Sequence, residues 1–389
     1  MSIEPRAVTS SERMGCPTTA DPDAVLTTKA PTGAYSTMTR QLYATGLMTS
    51  EPIRSIIEDA SSGPEWEIRV LDDRTNRFWF DDHGESSSKF PVPEKADDGM
   101  RPCGHLHVSA DTQEDAEAVQ RLVWIGAAIQ CPDPPDGRPL SVYPIDDRDP
   151  EKLARFETGW LPIKSCLDLR LALHGVVTAR RAWSDPGLIY ALEKWAFSWW
   201  LDSMTVHTLH PGRGEFYGRE KKSPEYHVSA AAAVNAAYSA IEELSCEVRS
   251  SPKKKRFHEV DGKREWNPVV YHELRGRLEK RGVDITLETD WMVRGDSASL
   301  YDGYEFHLGR PSEWRIHPEV HDVTVTLAEA IHFSSRLRNF VTAHRFCEES
   351  RHVGPYDVHN VQATARALIL QSLDLWGVDT QTLREHYSA

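Results

Sequence analysis

The chain has no run of eighteen apolar residues, so a helical membrane span is not expected. Its first residues, MSIEPRAVTSSERMGCPTTADPD, lack the apolar centre of a signal peptide, which predicts a cytoplasmic protein. Cysteine is scarce: Cys16, Cys103, Cys131, Cys166, Cys246 and Cys347 include no C-x-x-C pair, as suits reduced thiols better than a disulfide frame or zinc cage. Walker A, Rossmann, kinase and G-x-S-x-G signatures are also missing, and no internal repeat is visible. No cofactor is expected.

What is present is a 389-residue chain, 40% hydrophobic, long enough for two or three domains with real cores. The formal net charge of −14 is unevenly placed. Residues 1–220 hold 23 basic and 34 acidic side chains, against 22 and 25 in residues 221–389. Phosphate contacts dominate nucleic-acid affinity, so any RNA partner belongs to the second half.

Residues 1–40 are rich in Ser, Thr, Pro and Ala and read as a flexible leader. Residues 41–150 read as a small α+β domain: a short helix near 50–60, a hairpin in EWEIRVLDDRTNRFWF (65–80) and strands at 105–110 and 139–145. Its helix, residues 112–130, carries acidic residues in the first turn. Residues 151–220 form a helical connector, with helices at 168–184 and 185–209 joined at Asp185-Pro186-Gly187. Residues 221–389 read as a mainly α-helical bundle with long helical patterns at 228–250, 267–282, 326–351 and 357–377. The fold class is therefore an α+β front region followed by a helical bundle.

The stretch RLRNFVTAHRF (336–346) carries Arg338, Asn339 and His344. An Arg with four to six residues before a His is a weak pattern, and composition alone supplies about four such pairs here. Six occur, so counting does not separate them, but context does. Arg101 and Arg310 precede prolines, and Pro318 interrupts the segment from Arg315 to His321. Arg77 to His83 begins in the strand-like hairpin, and Arg345 to His352 runs toward Gly354-Pro355. Arg338 to His344 lies inside a long helical pattern with its own start signal, Thr326-x-x-Glu329, a capping box.

A polar residue after the Arg, then four residues and a His, on the penultimate long helix of a bundle, resembles the HEPN superfamily; SSRLRNFVTAH and the earlier AAYSAIEEL share its character. The resemblance covers roughly residues 228–377. It implies a helical domain that dimerises so that two Arg/His motifs meet in one cleft, and commonly a metal-independent endoribonuclease. It places Arg338, Asn339 and His344 at the family's motif positions. It also suggests a toxin or antiviral-defence effector, with a cognate antitoxin or regulatory partner. The insert at 283–325 departs from the simplest members, and some members have lost catalysis. The alternative is therefore a catalytically silent module binding nucleotide, RNA or a protein partner, and a third is an interaction scaffold.

The residue types suit the chemistry. When a 2′-hydroxyl attacks the adjacent phosphorus, RNA supplies its own nucleophile. An enzyme then needs a proton carrier and a cation for the phosphorane charge. Six positions on an α-helix lie about 9 Å and 120° apart, so two facing helices present both groups better than one. A homodimer follows as an expectation.

Other residues could support RNA binding. Lys253, Lys254, Lys255 and Arg256 form the strongest basic run, in SPKKKRFH, which reads equally as a solvated loop. Arg336 and Arg345 flank the motif. Among metal candidates, His105 and His107 share a strand face, and His207 and His210 lie a helical turn apart; neither pair shows a third ligand. Trp195 and Trp199, four apart, read as helix core rather than a base-stacking platform, with Trp200 beside them.

Overall fold

The computed structural model describes residues 40–49, 54–72, 78–80, 86–88, 101–102, 104–130, 143–145, 165–167, 169–201, 224–261, 263–293, 321–343 and 353–387. The expected leader lies outside the described residues, apart from Arg40.

The front half is built on a sheet in the order β2-β6-β1-β7, where β1 is Gln41–Thr49, β2 Trp66–Asp72, β6 Gly104–Ala110 and β7 Tyr143–Ile145. β8 (Ser165–Leu167) adds to β1 in parallel. The register of β1 on β6 shifts between Ala44 and Met48, and Thr45 fills the irregularity by donating its hydroxyl to the Leu106 carbonyl and accepting from Leu47 N at 3.1 Å. Alternation in β2 buries Trp66, Ile68 and Val70, and β6 buries Leu106, Val108 and Ala110.

The hairpin expected over 65–80 does not form. β2 pairs with β6, whereas β3 (Phe78–Phe80) pairs with β4 (Ser86–Ser88) and β5 (Arg101–Pro102). Both β-prone runs are strands, but the hydrogen-bonding edge of β2 is paired with the distant β6 rather than with its neighbour in sequence.

His105 and His107 are buried with this sheet, at 4% and 0% exposure. Burial lowers the His107 pKa from 6.5 to about 3, with His105 adding to the effect. The unfolded chain therefore takes up a proton on His107 below pH 6.5, while the folded protein resists until about pH 3. Stability falls as pH drops through that window, by about 1.4 kcal/mol per pH unit. Urea midpoints at pH 6.5 and 4 should lie closer together in His107→Leu than in the parent protein.

α1 (Arg54–Ser61) packs on β2, and α2 (Gln113–Gln130) packs on β1, β6 and α3 (Leu169–Ala182). α2 starts at Thr112, whose hydroxyl accepts from Asp115 N at 3.1 Å, with Glu114 and Asp115 in the first turn. α4 (Pro186–Leu201) follows α3 after the Asp185 turn, where Asp185 Oδ1 accepts from Gly187 N at 2.9 Å. Trp195 is 4% exposed and donates to the Gln362 carbonyl at 3.2 Å, so it is core. Trp199 and Trp200 pack partly buried against the same cluster.

α5 (Pro224–Glu243) packs along α4, and both contact α8 (Pro355–Ser372). The remaining helices are α6 (Pro268–Lys280), α7 (Leu327–Arg336) and α9 (Thr380–Tyr387). Buried apolar side chains run as one cluster from Tyr43 in β1 to Leu383 in α9. Arginines satisfy the carbonyls that helix ends leave over: Arg277 donates to Ser245 and Glu247 after α5, and Arg181 to Leu373 and Asp374 after α8. No helix among the described residues is long and apolar enough to cross a membrane.

The second half is helical in bulk but is not purely helical. β9 (Phe257–Val260) and β10 (Lys263–Trp266) form a hairpin that starts at the end of the basic run, and β11 (Glu288–Val293) pairs with β12 (His321–Thr326). Asn360 of α8 holds β11 by accepting from Met292 N at 2.8 Å and donating to Met292 O at 2.7 Å. The Thr326 capping box forms as expected.

The helix it starts does not continue as α-helix through the Arg/His stretch. α7 ends at Arg336, a π-helical segment spans Leu337–Thr342, and Ala343 follows as a bend. Ala343 N donates to Arg338 O at 2.9 Å, the longer reach of a π turn. Thr342 closes this segment: its hydroxyl donates to Asn235 Oδ1 at 2.8 Å and lies 3.2 Å from the Leu337 carbonyl.

Candidate functional site

Arg338 and Asn339 sit second and third in the π segment. Arg338 Nη1 donates to Asn339 Oδ1 at 2.6 Å, and Asn339 Nδ2 donates to Ser335 Oγ at 3.0 Å, one turn back on α7. The Arg338 guanidinium lies 5.9 Å from the centre of the Tyr238 ring on α5. Glu242, one turn further along α5, approaches Arg338 Nη2 to 3.9 Å, and both side chains are 37% exposed. A half-exposed guanidinium at that distance from its carboxylate is only loosely neutralised. It can still offer N–H groups to an anion.

Arg256 reaches the same patch from below. Its Nη2 donates to Ser335 Oγ at 2.9 Å and its Nε to Ser250 Oγ at 3.0 Å, and Nη2 also meets Val248 O at 3.5 Å. Its Nη1 lies 3.2 Å from His332 Nδ1. Because a guanidinium only donates, Nδ1 must accept, which assigns the His332 proton to Nε2. The His332 ring in turn meets Phe257 and Trp266 edge-on, at 4.7 and 5.7 Å, so the β9–β10 hairpin clamps this face of α7. Burial lowers the Arg256 pKa, with Tyr238 opposing that shift. Burial raises the Tyr238 pKa, and a hydrogen bond from Ser335 opposes it.

The structure thus brings together Arg338, Asn339 and Arg256, but not all the basic residues singled out in the sequence. Arg256 points inward instead of lying with the lysines. Lys254 is held by Glu273, and Lys253 and Lys255 are exposed. Arg336 is half-buried at the end of α7. His344 and Arg345 lie outside the described residues, as do His207 and His210.

Sequence reasoning missed Ser335, Tyr238, Glu242 and His332. Helical spacing could have found three of them: Ser335 stands four before Asn339, and Tyr238 four before Glu242. The clamp had a signal too. Asp261-Gly262 separates Phe257–Val260 from Lys263–Trp266, and Asp-Gly is a favoured two-residue hairpin turn. Asp261 takes φ 52°, as such a turn requires.

Comparison of the chain with known protein families, with curated proteins and with solved structures returns no match.

Proposed function

We propose that the chain is a metal-independent endoribonuclease of the HEPN type in which Arg338 holds the scissile phosphate and His344 moves the proton. The observation that carries this reading is the π segment Leu337–Thr342. Such turns are rare, frequently occur at functional sites, and this one holds Arg338 and Asn339 in a fixed relation. In the reaction, His344 takes the proton of the 2′-hydroxyl, the 2′-oxygen bonds to phosphorus, and the bond to the 5′-oxygen breaks. A proton returned to that oxygen completes the exchange. Arg338 forks onto the non-bridging oxygens as their charge grows. Asn339 orients Arg338. Lys253 and Lys255 offer exposed charge for the RNA backbone.

A homodimer with facing motifs, a cytoplasmic setting, a toxin or defence role, and a cognate antitoxin or regulator all belong to this proposal and rest on the family resemblance. One observation favours a second reading, a silent module that binds RNA, nucleotide or a protein partner. The helix ends at Thr342 and Ala343 is a bend, so the continuous helical spacing that linked Arg338 to His344 in the sequence stops before His344.

Purified protein incubated with total RNA and EDTA distinguishes the two. Cleavage should persist in EDTA and leave a 2′,3′-cyclic phosphate and a free 5′-hydroxyl. Strict dependence on a divalent ion would sink the mechanism. RNA binding by folded protein without cleavage would select the silent module.

A further inference from the structure

We infer that Arg256 is a positioning residue that sets the orientation of Arg338 through Ser335 and Asn339, an inference that rests on Arg338 being the phosphate-binding group. A guanidinium partly withdrawn from water is costly unless its donors are met. Here they are met by two hydroxyls, an imidazole nitrogen and a carbonyl, and no carboxylate among the described residues pairs with it. A charge kept inside under those terms polarises what it touches.

The hydrogen-bond directions run one way. Ser335 Oγ accepts from Arg256 at 2.9 Å and from Asn339 at 3.0 Å, which occupies both of its lone pairs. The NH2 end of the Asn339 amide thus faces Ser335. That leaves Oδ1 turned to Arg338, which donates to it at 2.6 Å. Flipping the amide would set NH2 against the Arg338 guanidinium, which can only donate, and Oδ1 beside the serine oxygen that Arg256 holds as an acceptor. Arg256, through Ser335, and Arg338 thereby hold Asn339 from its two ends, and Asn339 holds Arg338 over the Tyr238 ring. The basic run contributes to the site by this internal route as well as by surface charge.

The test has two arms. In arginine side-chain nitrogen spectra of the full chain, the Arg338 signal is identified by its loss in Arg338→Ala. Arg256→Met, which keeps the aliphatic stem, should shift and broaden that signal, and Ser335→Ala should do the same if the first variant fails to fold. An unchanged Arg338 signal in a folded variant overturns the inference. The second arm measures affinity for a 2′-O-methyl RNA oligonucleotide, which lacks the attacking hydroxyl. Arg338→Ala and Arg256→Met should each weaken binding about tenfold, and the double variant should lose little more, because both act through one contact. Additive losses with a further drop in salt dependence would mean that Arg256 touches RNA directly, which also overturns it. Should Arg338→Ala bind RNA normally while its signal still answers to Arg256→Met, the positioning stands and the ribonuclease reading falls.

Discussion

His344→Ala should lower RNA cleavage by about 10²–10⁴-fold, the usual worth of a positioned proton-transfer group. Arg338→Ala should cost on the order of 3 kcal/mol, or about a hundredfold, because the charge that grows on the phosphorane oxygens loses its donor. Both variants should remain folded. Arg338 touches Asn339, Tyr238 and Glu242 at a half-exposed position, and none of those contacts is a buried ion pair. Arg338→Lys should recover little, since a point charge cannot fork onto two oxygens or lie flat over Tyr238. Asn339→Ala should fall between the parent and Arg338→Ala, because it frees the guanidinium without removing it. Single-turnover cleavage of a labelled RNA, with circular dichroism as the folding control, gives all four values. Full activity in folded His344→Ala would remove the proposed proton carrier.

How far the sequence shows this arrangement depends on whether its signals are local. The Thr326-x-x-Glu329 box is local: both of its hydrogen bonds close within three residues, and α7 begins where the box predicts. The acidic first turn of α2 and the Asp185 turn before α4 are legible for the same reason. β2 is legible as a strand but not in its pairing, because Trp66, Ile68 and Val70 fix which face is buried and say nothing about which strand lies alongside. The π segment is the converse failure. Leu337–Thr342 has unbroken helical character in sequence, and the partner that holds its Thr342 hydroxyl, Asn235, lies more than a hundred residues away. Arg256 misleads in the same way: four basic residues in a row suggest surface, and only the hairpin that follows turns one of them inward. Contacts between distant segments, not composition, decide which of these charges reaches the site.

Gly175→Ala should destabilise the fold by about 1–3 kcal/mol, as expected for overpacking a buried site, whereas the same substitution at Gly276 should stabilise it by about 0.5–1 kcal/mol. Both glycines lie inside helices, so propensity alone favours alanine at each. The surroundings reverse the sign at one of them. A β-carbon on Gly175 of α3 would stand 2.3 Å from the Val123 carbonyl oxygen of α2. That is backbone within a helix whose neighbouring residues are buried, so it cannot swing aside as a flexible side chain would. A few residues along, Gly126 of α2 faces Thr178 of α3 with only 2.5 Å between the Thr178 β-carbon and the place its own would occupy. The two helices touch because each offers a glycine to the other, and α2 is also what packs on the sheet. Forcing them apart therefore disturbs the α2 face of the sheet as well as one contact. At Gly276 in α6 nothing lies within 4 Å of the added carbon, so only the entropy gain remains. Urea midpoints at unchanged slope measure both. A Gly175→Ala protein as stable as the parent would show that α2 and α3 can slide apart freely, and the close helix contact would then hold nothing in place.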